Sequence, residues 1–154
     1  ELTMLPEQIH LVIVGRHTEY TDKIERFIKE NKLEERVHII GNVPFDDLPA
    51  FYQLAEIFVY PSRFEGFGIP IIEALYSGIP VVAATGSCLK EAGGPDSIYV
   101  HPDDIKGMAN AFKQIYSDTE RKKEMIEKGQ KFAKRFSEEK QAEEILNIYK
   151  KLMR

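Results

Sequence analysis

The sequence predicts an α/β fold built on a parallel sheet with helices over both faces, and two features carry that expectation. Short apolar, β-branched runs alternate along the whole chain with longer stretches whose apolar residues recur at three- and four-residue steps. One of the strand-like runs, Ile57, Phe58, Val59 and Tyr60, leads through a glycine-bearing turn directly into a helical pattern. Strands joined through helices in this way pair in parallel.

Taken in order, strands are expected at residues 9–14, 37–40, 57–60, 80–83 and 98–100. Helices are expected at 20–31, 48–54, 69–76, 105–116, 119–134 and 137–152. Their starts carry capping residues: Asp46 and Asp47 before the second helix, Asp103 and Asp104 before the fourth, and Ser137 before the last. Residues 1–5 read as the tail of an earlier helix, leading straight to the strand at Ile9. In the last helix Ala142, Ile145, Leu146, Tyr149, Leu152 and Met153 form one apolar stripe. Its default role is packing on this domain's own sheet. No internal repeat or low-complexity linker interrupts the pattern.

Length and composition fit one domain, 1–154. A chain of 154 residues buries about 70% of its unfolded surface, enough for a self-sufficient core. Hydrophobic content of 43% and charged content of 30% are ordinary for a globular protein. A net charge of −4, with no arginine stripe interleaved with aromatics, argues against a nucleic-acid partner. Cys88 is the single cysteine, so no intrachain disulfide forms and a reducing compartment is the natural expectation. No apolar run approaches the ~20 residues that span a bilayer. Starting at Glu1 rather than methionine suggests an excised piece or a processed chain.

The chemistry concentrates in Glu65–Gly66–Phe67–Gly68–Ile69–Pro70–Ile71–Ile72–Glu73. Pro70 stands where a first-turn proline is tolerated, because that amide lacks an intrahelical partner anyway. Gly66 and Gly68 let backbone approach a ligand without side-chain obstruction. The helix start offers amides and a positive dipole end to an anion such as phosphate. A phosphate repels carboxylates, so neither glutamate is there to hold it. What a carboxylate holds is a neutral donor, and a vicinal diol presents two hydroxyls its oxygens accept together. With 70–73 helical and 65–68 not, the two carboxylates diverge and bracket a ligand with hydroxyls on both sides of a diphosphate. A nucleotide sugar has that layout. Gly15, Gly41, Glu65 and Thr85 each fall just past a strand end, where open α/β sheets bind ligands, so one crevice is expected to collect them.

The stretch from Pro61 to Ala83 resembles the donor-site motif of retaining glycosyltransferases of the GT-B fold, in family four. Ser62, Glu65, Gly66, Phe67, Gly68, Glu73, Ala74, Gly78, Pro80, Val81 and Val82 all match that pattern. The likeness continues in register through residues 11–15, 37–43 and 48–55 and to Glu91, covering nearly the whole chain. It implies a Rossmann-like three-layer α/β/α domain with a mainly parallel sheet, the C-terminal, donor-binding half of such an enzyme. The opening strand of that half, an arginine and a lysine that neutralise the diphosphate, and the acceptor-binding N-terminal domain are all missing. Arg16 and Arg63 do not match those cations.

The resemblance also implies roles residue by residue. Glu65 is the catalytic carboxylate in the sense that it positions the donor sugar near the reacting carbon, and Glu73 grips the ribose diol. Backbone amides of Gly66, Phe67, Gly68 and Ile69 face sugar and phosphate. Asn42 and Val43 line the base, Gly15 and Arg16 approach phosphate or base, and Thr85 and Ser87 belong to a donor-proximal loop. Lys90 departs from the proline many relatives carry before the residue matching Glu91. Plainer readings stand beside these: Glu65 as a solvated turn residue, Glu73 as a helix-dipole glutamate, and Asn42 and Val43 as an ordinary turn closed by Pro44.

For the full-length parent the resemblance implies transfer from a UDP- or GDP-sugar to a glycan or lipid-linked acceptor in polysaccharide synthesis. No cofactor and no divalent metal is expected, since Asp46–Asp47 and Asp103–Asp104 are adjacent acids that read as helix caps. The place is the cytoplasm, peripheral to the inner face of the membrane in the full-length protein, and the fragment alone is expected to be inactive. In these enzymes the terminal helix, here 137–154, crosses back to brace the N-terminal domain. Part of its stripe is then exposed in the fragment and favours self-association. The alternative is a non-catalytic nucleotide-binding or interaction module. A glycoside hydrolase with paired carboxylates fits less well, because a phosphate-suited glycine turn divides the two acids and no tryptophan is present to stack on sugar.

Overall fold

The computed structural model describes residues 2–153. Glu1 and Arg154, the outermost residues of the two predicted terminal helical segments, lie outside them. The chain divides into two compact units, Glu1–Ala50 and Phe51–Arg154. The α/β class and the parallel pairing are as the sequence predicts, with the strands forming two ladders, one in each unit.

The first unit is a strand–helix–strand arrangement. β1 (Leu11–Val14) and β2 (Val37–Ile40) pair in parallel, Leu11 opposite Val37 and Val14 opposite Ile40. The strand begins two residues later than residue 9. Ile9 instead gives its carbonyl to the Arg36 guanidinium, which also binds the carbonyls of Leu2 and Pro6. One side chain thereby fixes the entering segment, which forms a short 3₁₀ turn at Leu2–Met4. α1 (Glu19–Glu30) connects the strands and buries Thr21 and Ile28. At its start the Thr21 hydroxyl accepts from the Thr18 amide at 2.9 Å, the reaching-back half of a capping box with threonine in the glutamate's place.

Asp46 and Asp47 do not cap the next helix. They lie in a 3₁₀ turn, Phe45–Asp47, that runs directly into α2 (Leu48–Leu54), and the boundary between the units falls inside α2.

The second unit has the layered build. β3 (Phe58–Tyr60), β4 (Val81–Ala84) and β5 (Ile98–Val100) pair in parallel in that order. All four residues of β4 are buried, as expected of a central strand covered on both faces. Val81 and Ala83 pack with Ile71, Leu75, Leu89 and Ala92. Val82 packs on the other face with Val100, Met108, Ala111 and Ile115. The first group lies on α3 (Ile69–Tyr76) and α4 (Leu89–Gly93), the second on β5 and α5 (Ile105–Ser117). α6 (Thr119–Ala133) joins both, giving Met125 to one cluster and Ala133 to the other. α4 is absent from the sequence reading: five residues ending in glycine are too few to show a period. Asp104 and Asp118 cap α5 and α6, accepting from the Gly107 and Arg121 amides at 2.8 Å each.

α7 (Glu138–Leu152) is capped by Ser137, whose hydroxyl accepts from the Lys140 amide at 3.3 Å. Its apolar stripe does not pack on the sheet: no described residue of α7 is buried, and Ile145, Leu146, Tyr149 and Leu152 are all exposed. The helix touches the 3₁₀ turn at Lys134–Phe136 before it. No helix among the described residues is long and apolar enough to cross a membrane.

Candidate functional site

The second unit gathers Glu65 to Glu73 at the carboxyl end of β3. Gly68 caps α3 in the left-handed region, φ +97°. A β-carbon there would stand 3.2 Å from Leu89 Cδ2 and 3.4 Å from the Ala92 β-carbon. Both the dihedral and the packing therefore require glycine. Pro70 is the second helical residue, inside the first turn as predicted, and the Ile71 amide closes onto the Gly68 carbonyl at 2.9 Å. Gly66 has open space around it. Ile69, 61% exposed, opens the helix toward solvent. Among the described residues no hydrogen bond is drawn from the amides of Gly66, Phe67, Gly68 or Ile69.

Both glutamates are gripped by tyrosines that sequence reasoning missed. The Tyr60 hydroxyl donates to Glu65 Oε1 at 2.8 Å, and the Tyr52 hydroxyl donates to Glu73 Oε2 at 2.8 Å. Neither carboxylate has an ion-pair partner among the described residues. Burial comes first among the causes that push the Tyr60 phenol up to about 12, followed by its bond to Glu65 and the charges of Glu65 and Glu73. Tyr52 is raised further, again by burial first and then by Glu73. One signal was legible: Tyr60 ends the strand and stands five residues before Glu65.

The loop after β4 holds the turn from behind. Gly86 and Ser87 both have positive φ, and the Ser87 hydroxyl donates to the Glu65 carbonyl at 2.7 Å. The Cys88 thiol points at the same carbonyl at 3.3 Å. Ser87 thus meets the turn through its backbone. The Thr85 amide continues the sheet, donating to the Val100 carbonyl at 2.8 Å. Phe67 packs edge-on against Phe136, ring centres 5.6 Å apart. It also lines a cavity of about 580 Å³ together with Glu91, Tyr99, Phe132 and Arg135. Glu65 and Glu73 do not line that cavity. Asp103 does not cap a helix but pairs with Arg63, whose guanidinium holds its carboxyl below the usual carboxylate range.

The first unit carries its own predicted group. The loops after β1 and β2 meet where a β-carbon on Gly41 would lie 3.7 Å from the Gly15 carbonyl oxygen. The Gly15 amide donates to the Ile40 carbonyl at 3.2 Å. Asn42 takes positive φ at 54°, which asparagine tolerates better than most residues. Arg16 is exposed and Val43 half-buried.

The tyrosines give a pH prediction. Below the ordinary phenol value of 10.0 they are protonated in both folded and unfolded chains, so their contribution is whole. As pH climbs from there toward about 12 the unfolded chain loses those protons first, and stability drains away. Thermal midpoints measured across this range should fall, and the fall should be shallower in Tyr60→Phe. A flat alkaline limb would contradict the buried, hydrogen-bonded phenols.

The glycine turn and the two carboxylates without ion-pair partners stand at the carboxyl end of β3, the edge at which parallel α/β sheets take ligands. The chain belongs to the family described as glycosyl transferases group 1, whose sequence model matches residues 2–132. This bears out the resemblance drawn from the motif. The O-antigen chain mannosyltransferase B of Escherichia coli is 32% identical over 142 residues, covering 92% of this chain and 37% of that protein. Among solved structures, sucrose-phosphate synthase from Thermosynechococcus elongatus is 27% identical with a TM-score of 0.85, over 98% of this chain and 40% of that one. Anabaena Alr3699/HepE, solved in complex with UDP, shares the fold at 24% identity and a TM-score of 0.89, over 97% of this chain and 43% of that one. The chain spans less than half the length of these relatives.

Proposed function

We propose that this chain is the donor-binding part of a retaining glycosyltransferase that takes a sugar from a nucleoside diphosphate sugar and passes it to a glycan or lipid-linked acceptor. The observation that carries the reading is the pair of tyrosine-held carboxylates on either side of a glycine turn that opens a helix. Acceptor-only oxygens suit sugar and ribose hydroxyls, and the start of α3 suits phosphate. Glu65 positions the sugar and Glu73 the ribose. Gly66, Phe67, Gly68 and Ile69 supply backbone donors, and Thr85 and Ser87 complete the donor surroundings in the second unit; in the first unit, Gly15, Arg16, Asn42 and Val43 are the residues suited to base and phosphate. The E. coli relative is named for mannosyl transfer to an O-antigen chain, which favours envelope polysaccharide as the acceptor class and the cytoplasmic face of the membrane as the place. The exposed stripe of α7 fits a helix that braces an acceptor domain in the parent chain, and in isolation it favours self-association.

The test is calorimetric titration of the chain with UDP, GDP, UDP-glucose and GDP-mannose. One nucleotide series should bind, and chelation with EDTA should leave its affinity unchanged, because no step of this reading uses a metal. Tight binding of a free oligosaccharide with no effect of nucleotide would overturn the proposal.

A further inference from the structure

We propose that Tyr60 and Tyr52 are positioning residues, acting through Glu65 and Glu73, that fix which carboxylate oxygens are presented to the sugar end and the nucleotide end of the donor. The inference rests on the donor-binding reading above and extends it to two residues outside the motif.

The geometry is matched at both sites. Each phenol donates to a single carboxylate oxygen at 2.8 Å, Glu65 Oε1 and Glu73 Oε2. Glu65 Oε2 and Glu73 Oε1 carry no hydrogen bond among the described residues. A carboxylate offers about four lone-pair sites, so one phenol fixes its plane and leaves most of its accepting capacity. An arginine in the same place would engage both oxygens in a fork and cancel the charge. A phenol does neither. It also repels no ligand hydroxyl, since its own proton is committed to the glutamate.

The phenols are themselves held. The Phe58 ring lies 5.4 Å from Tyr52 and 5.9 Å from Tyr60, the latter pair stacked at 19°. Three rings from α2 and β3 thus form a row, with Tyr52 and Phe58 packed against the buried core of β4 and α3. Replacement by phenylalanine keeps the row and removes only the two hydroxyls. That makes the conservative variants informative where alanine would disturb packing.

The two tyrosines serve different ends of the ligand, and this separates positioning from mere support. Tyr60→Phe should leave nucleoside diphosphate affinity within about twofold but weaken the matching nucleotide sugar by about tenfold, the loss associated with a hydrogen bond to a charged group. Tyr52→Phe should weaken both probes alike, by about tenfold. In a Glu65→Ala background, which removes the acceptor, the Tyr60→Phe effect should vanish, as coupling through one side chain requires.

The experiment is titration of the chain and these variants with UDP and UDP-glucose, or GDP and GDP-mannose, whichever series the unsubstituted chain binds. Thermal melts run alongside. If the unsubstituted chain binds nucleotide sugar and both phenylalanine variants match it, the positioning role is wrong while the donor reading stands. If both variants weaken both probes equally and melt earlier, the tyrosines are structural supports and the inference fails. If the unsubstituted chain binds none of the four probes, the donor reading itself falls and takes this inference with it.

Discussion

Replacing Glu73 by alanine should weaken nucleotide binding by between about tenfold and a hundredfold. A hydrogen bond to a charged group contributes about 1.5–3 kcal/mol, and the loss of one such bond to the ribose gives that range. The substitution has a second consequence in the free chain. The Tyr52 hydroxyl, half-buried and donating at 2.8 Å, loses its acceptor, and an orphaned polar group costs about 1–3 kcal/mol. Affinity and stability should therefore fall together in Glu73→Ala. Glu73→Gln separates them, because its amide oxygen still accepts from Tyr52 while the charge is gone. Calorimetry should show the glutamine variant binding more weakly than the unsubstituted chain, with a melting curve close to it. Unchanged affinity in Glu73→Ala would remove Glu73 from the site.

Much of this turn was legible because its determinants are local. Gly68 is required by its own dihedral, Pro70 by its helix position, and the alternation of strand and helix by short-range periodicity. The Tyr52 grip was not legible, since Tyr52 meets Glu73 across 21 positions and only the fold brings α2 to α3, whereas Tyr60 stands five residues before Glu65. The same holds for Ser87, which the motif places near the donor and the fold turns onto the Glu65 carbonyl. Adjacent acids misled in one place and half misled in another. Asp46 and Asp47 lie inside a turn, and of Asp103 and Asp104 only the second caps, the first answering Arg63 from forty positions away. The stripe on the last helix showed which face is apolar, but a helical period cannot say whether anything covers it. Arg36, tying three carbonyls of the entering segment, left no sequence trace, because a single arginine looks alike on a surface and in a clasp.

Gly68→Ala should destabilise the chain by roughly 2–5 kcal/mol and blunt nucleotide binding with it. Left-handed backbone costs a residue with a β-carbon about 1–2 kcal/mol, and Gly68 sits at φ +97°. Forcing a methyl into a packed site adds about 1–3 kcal/mol. Here that methyl meets Leu89 at 3.2 Å and Ala92 at 3.4 Å, with Ile71 at 3.6 Å behind them. All three are fully buried, so none gives way into solvent. Relief must come from the turn itself, which would move the Ile69 amide and the Glu65 backbone it follows. Gly66→Ala is the control, because open space surrounds that position and its φ is not positive. Its melting temperature should stay near that of the unsubstituted chain, while Gly68→Ala should lose about 5–15 °C at this chain length. Equal melting of the two variants would mean that the left-handed cap on α3 is not what shapes the turn, and the placing of both glutamates would need another cause.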